Sequence, residues 1–316
     1  MKKYFLLLLC FAYIAGIVNA QSKIDVLDYK FNIELNDNND TIYGQAEIKL
    51  KILSPSSIIK FDLVTRNETG KGMAVTNITG PGIRSFVKDK DSVKIILMPG
   101  IEPSVGDTVS YIIQYHGIPA DGLIISKNKY GHRTFFSDNW PNRAHNWIPC
   151  IDDPADKATV EFIVTAPSHY QVISNGIKIE ETNLPNNNKL THYKEDVPLP
   201  TKVMVIGVAE FAIDTAGVVN NVQVYSWVFP ENKKEGFYDY AIAKDILGFY
   251  INYIGPYAYK KLANVQSKTI FGGMENAGAI FYSENSVTGD RQEEGLLAHE
   301  IAHQWFGDMA TEKSFA

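Results

Sequence analysis

The sequence predicts two unlike parts in tandem: an antiparallel all-β domain, then the beginning of an α+β domain. Two observations carry this. Before about residue 214, apolar residues recur at period two with polar residues between them. Beyond it, two stretches carry apolar residues at three-to-four spacing. The composition is that of a folded protein, with 316 residues, 45% hydrophobic and 21% charged. A net charge of −6 without a basic run argues against nucleic acid as a partner. Two cysteines are too few for a disulfide scaffold.

Residues 1–20 read as a secretory signal. Lys2 and Lys3 precede an uncharged apolar run, Tyr4–Val18, and Val18-Asn19-Ala20 has small residues spaced for cleavage before Gln21. The run is shorter than the roughly 20 apolar residues that span a bilayer. An exported protein, periplasmic or extracellular, without stable membrane insertion after cleavage is therefore expected. Cys150 is then the one remaining cysteine and reads as a buried structural thiol.

Residues 21–214 are expected to form the β domain. Tyr29, Phe31, Ile33 and Leu35 alternate with Lys30, Asn32 and Glu34; Ile42, Ala46, Ile48, Leu50 and Ile52 alternate with Tyr43, Gln45, Glu47, Lys49 and Lys51. That is the pattern of half-buried antiparallel strands. Further strand-like runs are Ile58–Leu63, Val93–Leu97, Val109–Tyr115, Val160–Thr165, Leu190–Tyr193 and Lys202–Val208, separated by turn clusters such as Asn36–Asp40 and Gly80-Pro81-Gly82.

Residues 215–316 change character. After a strand at Val222–Val228, the spacing predicts one amphipathic helix from Glu235 to Ile254, stopped by Gly255-Pro256. A second helix is expected from Asp290, with Asp290 as N-cap and Glu293 completing a capping box. Leu296, Leu297, Ile301 and Trp305 are its core contacts, and Gly307 is placed to end it.

The chemistry lies on that second helix. His299-Glu300-Ile301-Ala302-His303 is an H-E-x-x-H pattern. Four residues of helix turn through about 400°, so both imidazoles project from one face and can reach one Zn²⁺. Glu300 lies about 100° away, placed to take a proton from water as general base. A catalytic zinc takes a third protein ligand. The sequence H-x-x-G-x-x-H is absent, and Glu312 falls in the turn after Gly307, where it is not expected to bind.

About twenty residues upstream stands Phe271-Gly-Gly-Met-Glu-Asn-Ala-Gly-Ala279. With His299–Asp308 (HEIAHQWFGD) and the Trp147-Ile-Pro-Cys-Ile-Asp-Asp-Pro segment, it resembles the aminopeptidase N family of gluzincin metallopeptidases, with some likeness to the leukotriene hydrolase and cold-active aminopeptidase branch. The resemblance implies a saddle-like β domain followed by a thermolysin-like catalytic domain. It implies one Zn²⁺ on His299 and His303, Glu300 as general base, and Glu275 as partner of a peptide's free α-ammonium. Gly272 and Gly273 would bind the substrate main chain, Met274 would line the first side-chain pocket, and Asn276 would join the substrate-binding set. Peptides with a free N-terminus are the implied partners.

Two departures qualify this. The family's second amine-contacting Gln or Glu falls here on Trp140, with Asp138 nearby as a substitute. The third zinc ligand, a glutamate nineteen residues beyond His303, would stand at position 322. The catalytic domain is therefore expected to be incomplete within these 316 residues, and the chain inactive alone. Two other readings stay open: a bifunctional aminopeptidase and epoxide hydrolase, and a catalytically inactive peptide-binding fragment.

Overall fold

The computed structural model describes residues 23–315, so the expected signal segment lies outside them. The β-first architecture is as the sequence predicts. A seven-stranded sheet runs in the order Ile177–Leu184, Asn188–Pro200, Lys157–Pro167, Ile24–Glu34, Ile42–Ile52, Thr108–Ile118 and Gly72–Thr79. Only Ile24–Glu34 and Lys157–Pro167 pair in parallel. Smaller sheets of four and three strands close the other side.

The alternation sets the faces. Tyr29, Phe31 and Ile33 are buried, as are Ala46, Ile48, Leu50 and Ile52. The rings of Tyr29, Phe31 and Phe162 stack in series at 5.3 Å, and Trp147 lies 6.1 Å from Phe162. Cys150 is buried in the same core, and burial raises its thiol pKa well above the usual range. The Trp147–Pro154 segment is thus packing.

A five-stranded sheet begins at Ala212. Its order is Ala212–Val219, Val222–Val228, Lys261–Ser267, Ala279–Ser283 and Gly273–Met274, which forms one edge. Val222–Val228 and Lys261–Ser267 are parallel, so the chain between them must cross over, and it does so as helices. The expected single helix is two, α1 (Lys233–Tyr240) and α2 (Ala243–Tyr253), parted at Ala241-Ile242. The break lets Tyr240 face inward, where its hydroxyl meets Ser286 at 2.6 Å.

Two further expectations need correction. Lys202–Val208 is not one strand: Thr201–Val203 forms a 3₁₀ turn, and the strand is Ile206–Ala209. The second helix, α3 (Glu294–His303), starts after Glu293 instead of Asp290, with no side-chain cap. Arg291 has φ of 62°, which breaks the helix path between the two expected capping-box residues. Asp239 organises that approach instead, accepting the N–H groups of Thr288, Gly289 and Arg291 at 2.7, 2.7 and 3.0 Å.

The parts share a core. Phe136, Ile173 and Val205 of the β domain pack with Trp227, Phe229, Val265 and Phe281 of the five-stranded sheet. Among the described residues, no helix is long and apolar enough to cross a membrane.

Candidate active site

Helix α3 is seated by its apolar side. Leu297 and Ile301 are buried against α2 and the sheet. Tyr250 donates to the Ala298 carbonyl at 3.2 Å, and Trp305 Nε1 donates to the Pro256 carbonyl at 3.1 Å. This leaves His299 exposed and His303 half-buried.

The two imidazoles meet. His299 Nε2 and His303 Nε2 are 3.1 Å apart. A tetrahedral zinc with nitrogen ligands at about 2.0–2.1 Å requires a separation of about 3.3 Å, so the pair fits zinc with little movement. His303 Nδ1 lies 2.9 Å from the Phe306 carbonyl, which can only accept. The Nδ1 proton is therefore fixed there, and in the neutral ring Nε2 carries a lone pair suited to a metal.

Glu300 is buried. Its carboxylate packs on Gly273: a Cβ there would meet Oε1 at 2.4 Å and Cδ at 2.6 Å. Burial pushes its pKa up to about 7, and the charge of Glu275 adds to the rise. Donor atoms of Glu275, Glu300 and His303 all lie within 4.8 Å of one another. Both carboxylates and the His303 imidazole therefore form one cluster, which His299 adjoins through His303.

The Gly273–Met274 edge borders it. Ser283 N–H donates to the Gly272 carbonyl at 2.9 Å, while Gly273 stands opposite Tyr282. Gly273–Tyr282 is therefore a non-hydrogen-bonded pair, and both main-chain groups of Gly273 point off the open edge. They are available to an extended peptide. The Gly272 carbonyl is already committed to the hairpin.

Period two then corrects two expectations. Gly273 and Glu275 are on the accessible side, so Met274 and Asn276 face inward. Met274 is buried in the β-domain core, which makes it packing instead of an open pocket wall. Asn276 is fully buried, and neither atom of its amide has a hydrogen-bond partner among the described residues. The main chain and Glu275 are left to meet a substrate.

Asp138 is also not free for an amine. It is buried, one oxygen paired with Arg143 at 2.5 Å and the other accepting from Thr269 Oγ1 and Ile270 N–H at 3.0 and 3.3 Å. It holds the segment leading into Phe271-Gly272. Trp140 stands edge-on to Phe271, with ring centroids 5.6 Å apart. Glu312 pairs with Lys202 at 2.9 Å.

Residues that the motifs did not single out anchor the loop after Glu275. Asn175 of the β domain donates to the Ala277 carbonyl at 2.8 Å, and Lys261 to that of Gly278 at 3.1 Å. Gln304, at the C-terminal end of α3, binds the same loop through the Glu275 carbonyl and Gly278 N–H. Such polar side chains, far apart in sequence and aimed at main-chain atoms, leave no periodic signal.

Residues 26–203 match the Peptidase M1 N-terminal domain, and residues 238–316 match the Peptidase family M1 domain. The chain is similar to the "Probable aminopeptidase 2" of Sulfurisphaera tokodaii, 29% identical over 64% of this chain and 27% of that protein. It is similar to "Aminopeptidase N" of Oryctolagus cuniculus, 32% identical over 53% of this chain and 19% of that protein. It is also 29% identical to "Glutamyl aminopeptidase" of Bitis rhinoceros, over 55% of this chain and 20% of that protein. The aligned segments thus span about a fifth to a quarter of these relatives.

Proposed function

Taking as its premise that the chain belongs to peptidase family M1, we propose that it is the front part of an exported zinc aminopeptidase acting on peptides with a free N-terminus. The observation that carries this is the single cluster of Glu275, Glu300, His299 and His303 beside an open strand edge. His299 and His303 are two of the zinc ligands, and the third is expected at position 322. When bound, zinc supplies a Lewis acid that polarises a carbonyl and lowers the pKa of water toward ~7.

The protein groups divide the remaining work. Gly273 pairs with the peptide main chain and lays it along the edge. Glu275 pairs with the α-ammonium. That group sits about 3 Å from the first carbonyl oxygen of the same residue, so its anchor must lie close to the imidazoles. The 4.8 Å cluster meets that need. Glu300 takes the proton of the attacking water and returns it to the leaving amine.

The test is a pair of variants in the full-length, zinc-loaded protein. Glu300→Gln is expected to lower kcat by at least about 100-fold with zinc content unchanged, since general-base steps contribute about 10²–10⁴-fold. Glu275→Ala is expected to weaken free-amine substrates far more than N-acetylated ligands. Unchanged turnover in the first, or equal losses in the second, overturns the corresponding role.

A further inference from the structure

We infer that the side-chain amide of Gln304 is a positioning group that sets the distance between the zinc-binding imidazoles and the ammonium anchor Glu275. The inference rests on the function proposed above. Gln304 directly follows His303 and lies about 100° further round the helical path, so its side chain runs to the sheet while the imidazole faces the site. It is 1% exposed. Its Nε2 donates to the Glu275 carbonyl at 2.6 Å. Its Oε1 accepts from Gly278 N–H at 2.8 Å and from the Tyr257 hydroxyl at 3.1 Å.

One side chain thus grips both ends of the Glu275–Gly278 turn, using a donor and an acceptor together. Among neutral side chains of this length only an amide offers both; methionine has no donor and only a weak thioether acceptor, and ionised glutamate lacks the donor. The other ties of the loop act further along, Asn175 on Ala277 and Lys261 on Gly278. Among the described residues, Gln304 is the one side chain bonded to the main chain of Glu275. The span from imidazole to ammonium anchor is therefore carried by two adjacent residues, the last of α3 and the one that caps it. A peptide held by its ammonium on Glu275 is placed so that its first bond, and not a later one, reaches the imidazole pair.

The test compares Gln304→Glu with the parent in the full-length, zinc-loaded protein at pH 8. The change keeps shape and acceptor but puts an oxygen against the Glu275 carbonyl. The KM for a free-amine dipeptide substrate is expected to rise at least about 10-fold, with kcat within about threefold, because loss of a bond to a buried acceptor and a small displacement of the anchor both weaken binding. In calorimetric titrations, the binding advantage of the free-amine dipeptide over its N-acetyl form is expected to shrink by a similar factor, at unchanged zinc content. Gln304→Met, which removes the donor and leaves only a weak acceptor without adding charge, is expected to do the same and serves if the buried carboxylate unfolds the site. Tyr257→Phe leaves the Glu275 bond in place and is expected to keep the advantage.

An advantage that survives both Gln304 variants overturns the inference, as does an equal weakening of the free-amine and N-acetyl forms. Glu275→Gln separates the two levels. If it leaves the advantage intact, the amine-anchor reading fails and this inference with it. If it removes the advantage while the Gln304 variants do not, only the positioning role fails.

Discussion

At the residue scale, Gly273 and Glu300 constrain each other. The glycine exists for a contact: its missing Cβ is where the Glu300 carboxylate lies, with 2.4 Å between a built Cβ and Oε1. Gly273→Ala is therefore expected to displace the carboxylate proposed as general base and lower kcat by up to about 100-fold, the scale set by an ångström of misplacement. Stability should change little, because the atoms met all belong to the Glu300 side chain, which can rotate aside; matched kcat and urea-unfolding measurements check this. Glu300 itself carries a pH signature in the metal-free protein. Its folded pKa is raised to about 7 by burial first and Glu275 second. A raised carboxyl favours the protonated folded state, so the cost to stability is absent below the ordinary value near 4.5, grows between the two, and is full above about 7. Glu300→Gln is expected to stabilise the metal-free protein by on the order of 2 kcal/mol at pH 8 and by nothing at pH 4. Equal effects at both pH values would sink that account.

At the element scale, helix α3 depends on how the chain enters it. Asp239, buried on α1, accepts three main-chain N–H groups of residues 288–291. Asp239→Ala strands those donors and frees the approach to α3. A loss of roughly 2–4 kcal/mol in urea unfolding is expected, with zinc affinity falling alongside. Asp239→Asn, which keeps an acceptor, should lose less. This element also marks the limit of what the sequence showed. The pattern Asp290-x-x-Glu293 reads as a capping box, yet Arg291 at φ 62° and a carboxylate some fifty residues earlier define the start of the helix. The two imidazoles on one helix face, by contrast, follow from spacing alone. So do the faces of Ile24–Glu34 and Ile42–Ile52, whose burial repeats their period-two pattern. Gly273, Glu275 and Glu300 were legible as motif members. Their mutual packing was not, nor was the inward turn of Met274 and Asn276, which depends on how the edge pairs with Ala279–Ser283.

At the scale of the whole molecule, the β domain is part of the site's scaffold. Asn175 reaches across to the Ala277 carbonyl, and Met274 and Ala277 belong to the β-domain core. Phe281, on the strand paired with the Gly273–Met274 edge, packs edge-on to Phe136 at 5.4 Å. Gly207 sits beneath both rings, where a Cβ would lie 3.0 Å from each. A junction this tightly packed should couple the two parts into one cooperative unit, so that loosening it unfolds the site and the saddle together. Phe281→Ala is expected to cost about 3–5 kcal/mol, the usual loss for a buried phenylalanine. The decisive measurement compares probes. Trp140 and Trp147 report on the β domain, Trp227 and Trp305 on the sheet and the α3 end. Variants retaining one pair or the other are expected to give superimposable urea transitions by fluorescence and by far-ultraviolet circular dichroism, before and after the Phe281 change. Separate transitions would mean that the β domain folds without regard to the site, and Asn175 would then be a local contact only. A single transition would show that the loop bearing Glu275 and the β-domain core on which it packs stand or fall together.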